Sequence, residues 1–135
     1  MKKIIVLIWM SSIALFCGSI DIEVFGIENQ KGSIFIGLFN SKENFPKKDA
    51  VYKGMILEIN SKVIKYQFAD IPNGAYAVSI FQDKNNNGKL DKNFIGIPSE
   101  KYGFSNNARG SFSSPSFDEA KFELVDNISI NVEIK

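Results

Sequence analysis

The chain has 135 residues, of which 44% are hydrophobic, and this length and composition suit a single folded domain with a real core. Its formal net charge is +1 and no basic stripe stands out, which argues against nucleic-acid binding. The sequence contains no histidine, so Ser-His and Cys-His catalysis and imidazole zinc sites are excluded.

Residues 1–19 have the build of a secretory signal peptide. Two lysines precede an apolar run over residues 4–16, which is shorter than a membrane span. Ordinary cleavage is expected close to Cys17, which leaves a β-sandwich domain over residues 20–135 with no transmembrane segment in the mature chain. A lipid anchor on Cys17, the only cysteine, is the alternative. The protein is therefore expected to be exported, and to be periplasmic or secreted.

Beyond the leader, apolar residues recur at every second position, as they do in β-strands. One segment places Ile34, Ile36 and Leu38 on one face and Phe35 and Phe39 on the other, which predicts a strand covered on both sides. The other predicted strands are residues 20–26, 53–60, 62–70, 75–82, 120–124 and 128–134. These elements predict an all-β fold, a sandwich of about seven antiparallel strands with an Ig-like or transthyretin-like Greek key.

Residues 83–116 interrupt this pattern with a segment rich in Asn, Gly, Ser and Lys. A connection of this length is uncommon in a small domain and is usually functional. Its composition also allows a short strand around the sequence NFIGI, residues 93–97.

The sequence DKNNNGKLD, residues 83–91, has the spacing of a calcium-binding loop. Oxygen-bearing side chains alternate along it, and a glycine at the sixth position permits a sharp bend. Phe94 stands where an EF-hand has its bidentate Glu, so the expected Ca²⁺ affinity is weak. The alternative is a plain Asn- and Gly-rich turn without an ion. The candidate metal ligands are Asp83, Asn85, Asn87, Lys89 through its carbonyl, and Asp91.

A second candidate site lies in the sequence SEKYGFSNNARG, residues 99–110. It combines aromatic rings for stacking, amides for hydrogen bonding and one guanidinium, which together suit a glycan, a peptide or an extracytoplasmic protein partner. In the alternative interpretation the rings pack over one end of the sandwich and the asparagines hold turns. The candidate ligand-binding residues are Tyr102, Phe104, Asn106, Asn107 and Arg109.

The adjacent acids Asp118 and Glu119 raise one catalytic alternative, a carbohydrate- or peptide-processing hydrolase that uses carboxylates only. Acids at the entrance to a strand are more often solvated, and nothing in the sequence places a substrate around this pair. We therefore expect a non-enzymatic binding or structural module.

Several motifs together resemble one bacterial family of exported proteins, the domain of unknown function 2141. They are Gly74 to Ala77, the loop 83–91, the segment from Gly96 through Glu100 to Asn107, and Pro115 to Phe122. The resemblance spans nearly all of the mature chain. It implies an Ig-like or transthyretin-like sandwich and an exported protein, and it implies no particular ligand.

Overall fold

Eight β-strands make up two sheets in the computed structural model, which describes residues 16–110 and 114–135. The strands are β1 (Cys17–Phe25), β2 (Ser33–Phe39), β3 (Lys53–Glu58), β4 (Ile64–Pro72), β5 (Gly74–Asp83), β6 (Tyr102–Phe104), β7 (Phe122–Leu124) and β8 (Asn127–Glu133). One sheet has the order β4-β1-β8, and the other has the order β3-β2-β5-β6, with β7 pairing to β5 beside β6. The helical elements are α1 (Phe117–Ala120) and two 3₁₀ turns, Lys48–Ala50 and Ser105–Asn107.

The two sheets confirm the predicted all-β sandwich, with eight strands where about seven were predicted. The additional strand is β6, only three residues long, in a region where the sequence has no regular alternation. All pairs are antiparallel except β1 with β8, which run parallel. The segment around NFIGI forms a turn closed by a single bridge between Lys92 and Pro98, and the structure assigns no strand to it.

The main core lies between the sheets and is built from the alternating aliphatic residues. Ile20, Ile22 and Val24 of β1 meet Ile34 and Ile36 of β2 there, each no more than 1% exposed. Burying these side chains stabilises the fold by about 1.5–3 kcal/mol each relative to leaving them in water. The alternation predicted for these strands therefore matches their packing between the sheets.

The five-stranded sheet is also covered on its outer face, as the pattern of β2 predicted. Every residue of β2 is buried, and a second cluster, which includes Phe39, Phe45 and Phe104, packs outside the sheet. Gly37 makes this cover possible, because a Cβ there would come within 3.0 Å of the side chains of Phe35 and Val51. The chain before β3 and the long connection after β5 therefore both fold back over this face.

Positions 1–15 of the predicted signal peptide lie outside the described residues. The described part begins at Phe16, and β1 starts at Cys17, ahead of the predicted domain boundary at residue 20. The backbone N–H of Ser19 donates to the Asp126 carbonyl at 3.0 Å and to Asn127 Oδ1 at 3.2 Å. Residues before Ile20 therefore belong to the folded sheet. None of the helices within residues 16–110 and 114–135 has the length and apolar character that a membrane crossing requires.

Candidate functional site

The loop 83–91 begins where β5 ends, and Asp83 anchors it. The Asp83 side chain is only 5% exposed, and its two carboxylate oxygens accept hydrogen bonds from the backbone N–H groups of Asn87, at 3.1 Å, and Gly88, at 2.7 Å. Asn86 and Gly88 both have positive φ, 54° and 77°, which Asn and Gly adopt at little cost. This wraps the chain tightly around one carboxylate.

Asp91 closes the same loop from its far end. Its Oδ2 accepts a hydrogen bond from the Asn85 amide and its Oδ1 accepts one from the Asn87 amide, both at 2.7 Å. These two contacts, that with Asn87 foremost, hold the pKa of Asp91 below its ordinary value of 3.8. Four of the predicted ligands, Asp83, Asn85, Asn87 and Asp91, are thus brought together in one loop.

Lys89, the fifth predicted ligand, contributes its backbone to the turn. Its N–H donates to Asn87 Oδ1 at 2.9 Å, and its side chain is exposed. A further cation, Lys48 of the first 3₁₀ turn, reaches the loop from outside and donates to the Gly88 carbonyl. The Lys48 ammonium also lies 5.3 Å from the ring centroid of Phe35 and 5.8 Å from that of Phe81. The loop is therefore fastened to the outer face of the five-stranded sheet.

Glu100 supports the loop and was not among the predicted ligands. Its side chain is 6% exposed, and its two oxygens accept hydrogen bonds from the backbone N–H groups of Lys84, at 3.1 Å, and Asp91, at 3.0 Å. The carboxylate thus joins the first and last turns of the loop. The sequence carries no signal that this acid is buried, apart from its place in the family-like motif. Over the described residues, no three Asp, Glu, Cys or His side chains gather in a way that could hold a metal ion.

The second candidate site has its polar groups occupied by contacts within the fold. Asn106 donates to the carbonyls of Glu119 and Lys121, at 3.3 and 2.8 Å, while Asn107 Oδ1 accepts from the N–H of Glu133 at 3.0 Å. Both asparagines have positive φ, 60° and 49°. These contacts join the turn after β6 to the segments around α1 and β8.

The aromatic and cationic members of that site also pack against one another. The Arg109 guanidinium lies 4.8 Å from the Tyr102 ring centroid and donates to the Tyr102 carbonyl at 2.9 Å. Phe104 is 4% exposed within the outer cluster. The observed contacts of all five residues favour the alternative in which this segment packs over the sandwich. Tyr102 and Phe104 also line a cavity of about 570 Å³ beneath the long connection.

Asp118 and Glu119, the pair considered for hydrolysis, lie in α1. Glu119 accepts from the backbone N–H of Ser116 at 2.7 Å and the Ser116 hydroxyl accepts from the Glu119 N–H, which is a capping box. Asp118 forms an ion pair with Lys121 at 3.3 Å. Both acids thus have contacts that stabilise a short helix.

Fold and loop together define a small two-sheet β-sandwich with a loop of acids and amides fastened over one sheet. The chain belongs to the bacterial family described as "Uncharacterized protein conserved in bacteria (DUF2141)", whose sequence profile matches residues 22–131. This confirms the family resemblance, and the match includes the whole loop 83–91. No curated protein and no solved structure matches the chain.

Proposed function

We propose that this chain is an exported, non-enzymatic binding or structural module whose loop 83–91 takes up Ca²⁺ weakly. The observation that carries the proposal is the convergence of Asp83 and Asp91 on Asn87. The Asn87 N–H donates to Asp83 Oδ1 at 3.1 Å, and its side-chain amide donates to Asp91 Oδ1 at 2.7 Å. Two carboxylates and two amides therefore share one small loop, and Ca²⁺ prefers carboxylate and carbonyl oxygens.

The asparagines can serve the loop both with and without the ion. Each amide carries an acceptor oxygen as well as a donor nitrogen, and a half-turn about its last bond exchanges the two. In the structure the nitrogens of Asn85 and Asn87 face Asp91. Exchanging them would present two oxygens beside the Asp91 carboxylate, which is the donor set that a calcium ion needs.

The affinity of such a site is expected to be low. The exchange releases the hydrogen bonds that Asn85 Oδ1 and Asn87 Oδ1 accept from the N–H groups of Asn87 and Lys89. Each costs about 0.5–1.5 kcal/mol. The site also has only two carboxylates, and Lys48 contacts the Gly88 carbonyl nearby. These features together favour the millimolar range of extracellular calcium modules.

Export is part of the proposal because a weak calcium site is useful only where the ion is abundant. The apolar run over residues 4–16, which follows two lysines, supports export. The exported chain is then periplasmic or secreted, and a lipid-anchored chain modified on Cys17 is the alternative. The carboxylate hydrolase is disfavoured, since α1 capping and ion pairing account for the contacts of Glu119 and Asp118.

A thermal melt in increasing Ca²⁺ tests the proposal. A ligand that binds only the native state at ten times its Kd adds about 1.4 kcal/mol, a rise in Tm of about 5 °C for a domain of this size. We expect this rise with Ca²⁺ and a smaller one with Mg²⁺. Asp91→Asn should abolish it, whereas Asp70→Asn, at an exposed position on β4, should leave it intact. A melt that does not respond to Ca²⁺ overturns the proposal.

A further inference from the structure

The connection after the calcium loop presents an apolar turn at one end of the sandwich. Phe94 is 100% exposed, Ile95 66% and Ile97 55%. Single exposed apolar residues are common on protein surfaces, but three within four positions at the tip of one turn form a cluster, and of these three only Ile97 lines the cavity beneath the long connection. Such an exposed apolar cluster marks a candidate interaction site.

The tip is held in shape by its own hydrogen bonds. Asn93 Oδ1 accepts from the backbone N–H groups of Ile95 and Ile97, both at 3.0 Å. The Asn93 backbone N–H donates to the Ile97 carbonyl at 2.8 Å, and the Asn93 carbonyl accepts from the Gly96 N–H at 3.0 Å. A tip whose backbone groups bond internally can enter an apolar medium at lower cost than an open loop.

The charges around the tip are arranged with acids turned inward and cations turned outward. Asp83 and Glu100 are 5% and 6% exposed and bonded to backbone N–H groups, and Asp91 is bonded to two amides. Lys84, Lys89 and Lys92 are exposed, and none of the ion pairs found among the described residues includes them.

Other charges at the same end of the sandwich do not offset this arrangement. Lys31 and Lys62 are exposed there as well. Of the exposed acids, Glu28 pairs with Lys101 at 3.1 Å, Glu133 pairs with Lys135 at 3.6 Å, and Glu58 lies on the edge strand β3. The exposed side-chain charges nearest the tip are therefore those of lysines.

We propose that the turn Lys92–Pro98 is a docking element for an anionic phospholipid surface, with Phe94 and Ile95 entering the headgroup region and the surrounding lysines contacting lipid phosphates. A stable protein interface buries about 800 Å² on each partner, which is far more than a seven-residue turn supplies. Shallow membrane docking needs only a few apolar side chains with basic neighbours. The arrangement therefore suits a lipid surface better than a protein groove.

The tip and Cys17, the first residue of β1, lie at opposite ends of the sandwich. Cys17 pairs with Pro72, the last residue of β4, just before β5 begins at Gly74. The tip follows the end of β5, about 30 Å away for a strand of ten residues. The docking element therefore serves a chain released by cleavage, because a lipid on Cys17 would hold the tip away from the membrane that carries the anchor.

Vesicle sedimentation tests the proposal in the chain recovered after export, carrying Cys17→Ser and kept in EDTA so that calcium plays no part. Vesicles of phosphatidylcholine with one-third phosphatidylglycerol should bind the chain, and binding should weaken with salt. Phe94→Ser should lower the partition coefficient at least about tenfold, the loss expected for one buried aromatic side chain. Lys92→Gln should lower it about fivefold on anionic vesicles. Val125→Ser and Lys42→Gln, exposed at the opposite end, are the matched controls and should not change it.

A fluorescence measurement tests the same proposal at two single positions of the fold. In the chain recovered after export, tryptophan placed by Phe94→Trp should shift its emission to the blue on anionic vesicles, while tryptophan placed by Val125→Trp should not. Equal partition of wild type and Phe94→Ser, or no blue shift at position 94, overturns the proposal and points to a protein partner for the tip. Because both assays exclude calcium, their failure leaves the proposed ion site unaffected.

Discussion

The buried carboxylate of Glu100 accepts the backbone N–H of Asp91 at 3.0 Å, and so fixes the residue that closes the candidate calcium loop. Its other oxygen accepts the N–H of Lys84 at the loop's start, at 3.1 Å. One acid outside the loop thereby sets the separation between the loop's two ends.

Replacing Glu100 by Gln should lower the free energy of unfolding by about 1–3 kcal/mol. The Gln side chain has a single acceptor oxygen, whereas the two backbone N–H groups each bond to a separate oxygen of Glu100. Urea denaturation measures the loss of stability directly. Glu123→Gln, at an exposed position on β7, is the matched control and should change stability by less than about 0.5 kcal/mol. Equal midpoints for the two variants would show that Glu100 does not support the loop.

The Ser105 hydroxyl should stabilise the five-stranded sheet midway along β5, away from the loop. It is fully buried, accepts the Val78 N–H at 2.9 Å and donates to the Ala120 carbonyl at 2.6 Å. Ser105→Ala leaves both backbone groups without that partner, so we expect a loss of about 2–4 kcal/mol. Ser129→Ala, exposed on β8, serves as the control in the same denaturation series. A loss below about 0.5 kcal/mol for Ser105→Ala would contradict this role.

The carboxylate of Asp91 should titrate at low pH. Its folded-state pKa is lowered by hydrogen bonds from Asn87 and Asn85, so its contribution to stability is complete above 3.8 and is lost as the pH falls through the lowered value. Carboxyl-carbon NMR should give a midpoint below 3.8 for Asp91, and Asn87→Ser should raise that midpoint. A midpoint at or above 3.8 in the unmodified chain would mean that the amides do not bind the charged form.

The position of β1 predicts where the leader is removed. Ser19 bonds to Asp126 and Asn127, and Gly18 lies so close to the Asp126 carbonyl that no side chain fits there. Cleavage after Ser19 would remove these contacts from the sheet. We therefore expect the leader to be cleaved no later than Gly18, so that Ser19 stays in the mature chain. Mass spectrometry of the exported chain identifies the first residue. A mature chain that begins at Ile20 would contradict this expectation.

The sequence predicted those parts of the fold that depend on a repeating pattern. Strands β1, β2, β4, β5 and β8 were predictable because their apolar residues, which are buried on folding, recur at every second position. The cover on both faces of β2 was predictable because Phe35 and Phe39 lie on the face opposite its aliphatic residues. The three-residue strand β6 was missed because it forms by pairing with β5, which is distant in sequence, and has no local alternation of its own.

The candidate site was predictable only in part. The spacing of Asp83, Asn85, Asn87 and Asp91 identified the loop, because these residues contact one another over a few positions. Glu100 and Lys48 could not be found in this way, since each reaches the loop through tertiary folding. The hydrogen bonds of Asn106 and Asn107 likewise depend on contacts with Glu119, Lys121 and Glu133.

The most direct test of the account is a calcium titration followed by NMR of the side-chain amides of Asn85 and Asn87. We predict that both NH₂ groups and the Gly88 N–H shift together up to about 10 mM Ca²⁺, the upper part of the range for extracellular modules, and that EDTA reverses the change. Resonances of residues 83–91 that stay in place throughout the titration, while the chain remains folded, would contradict the proposal that this loop binds calcium.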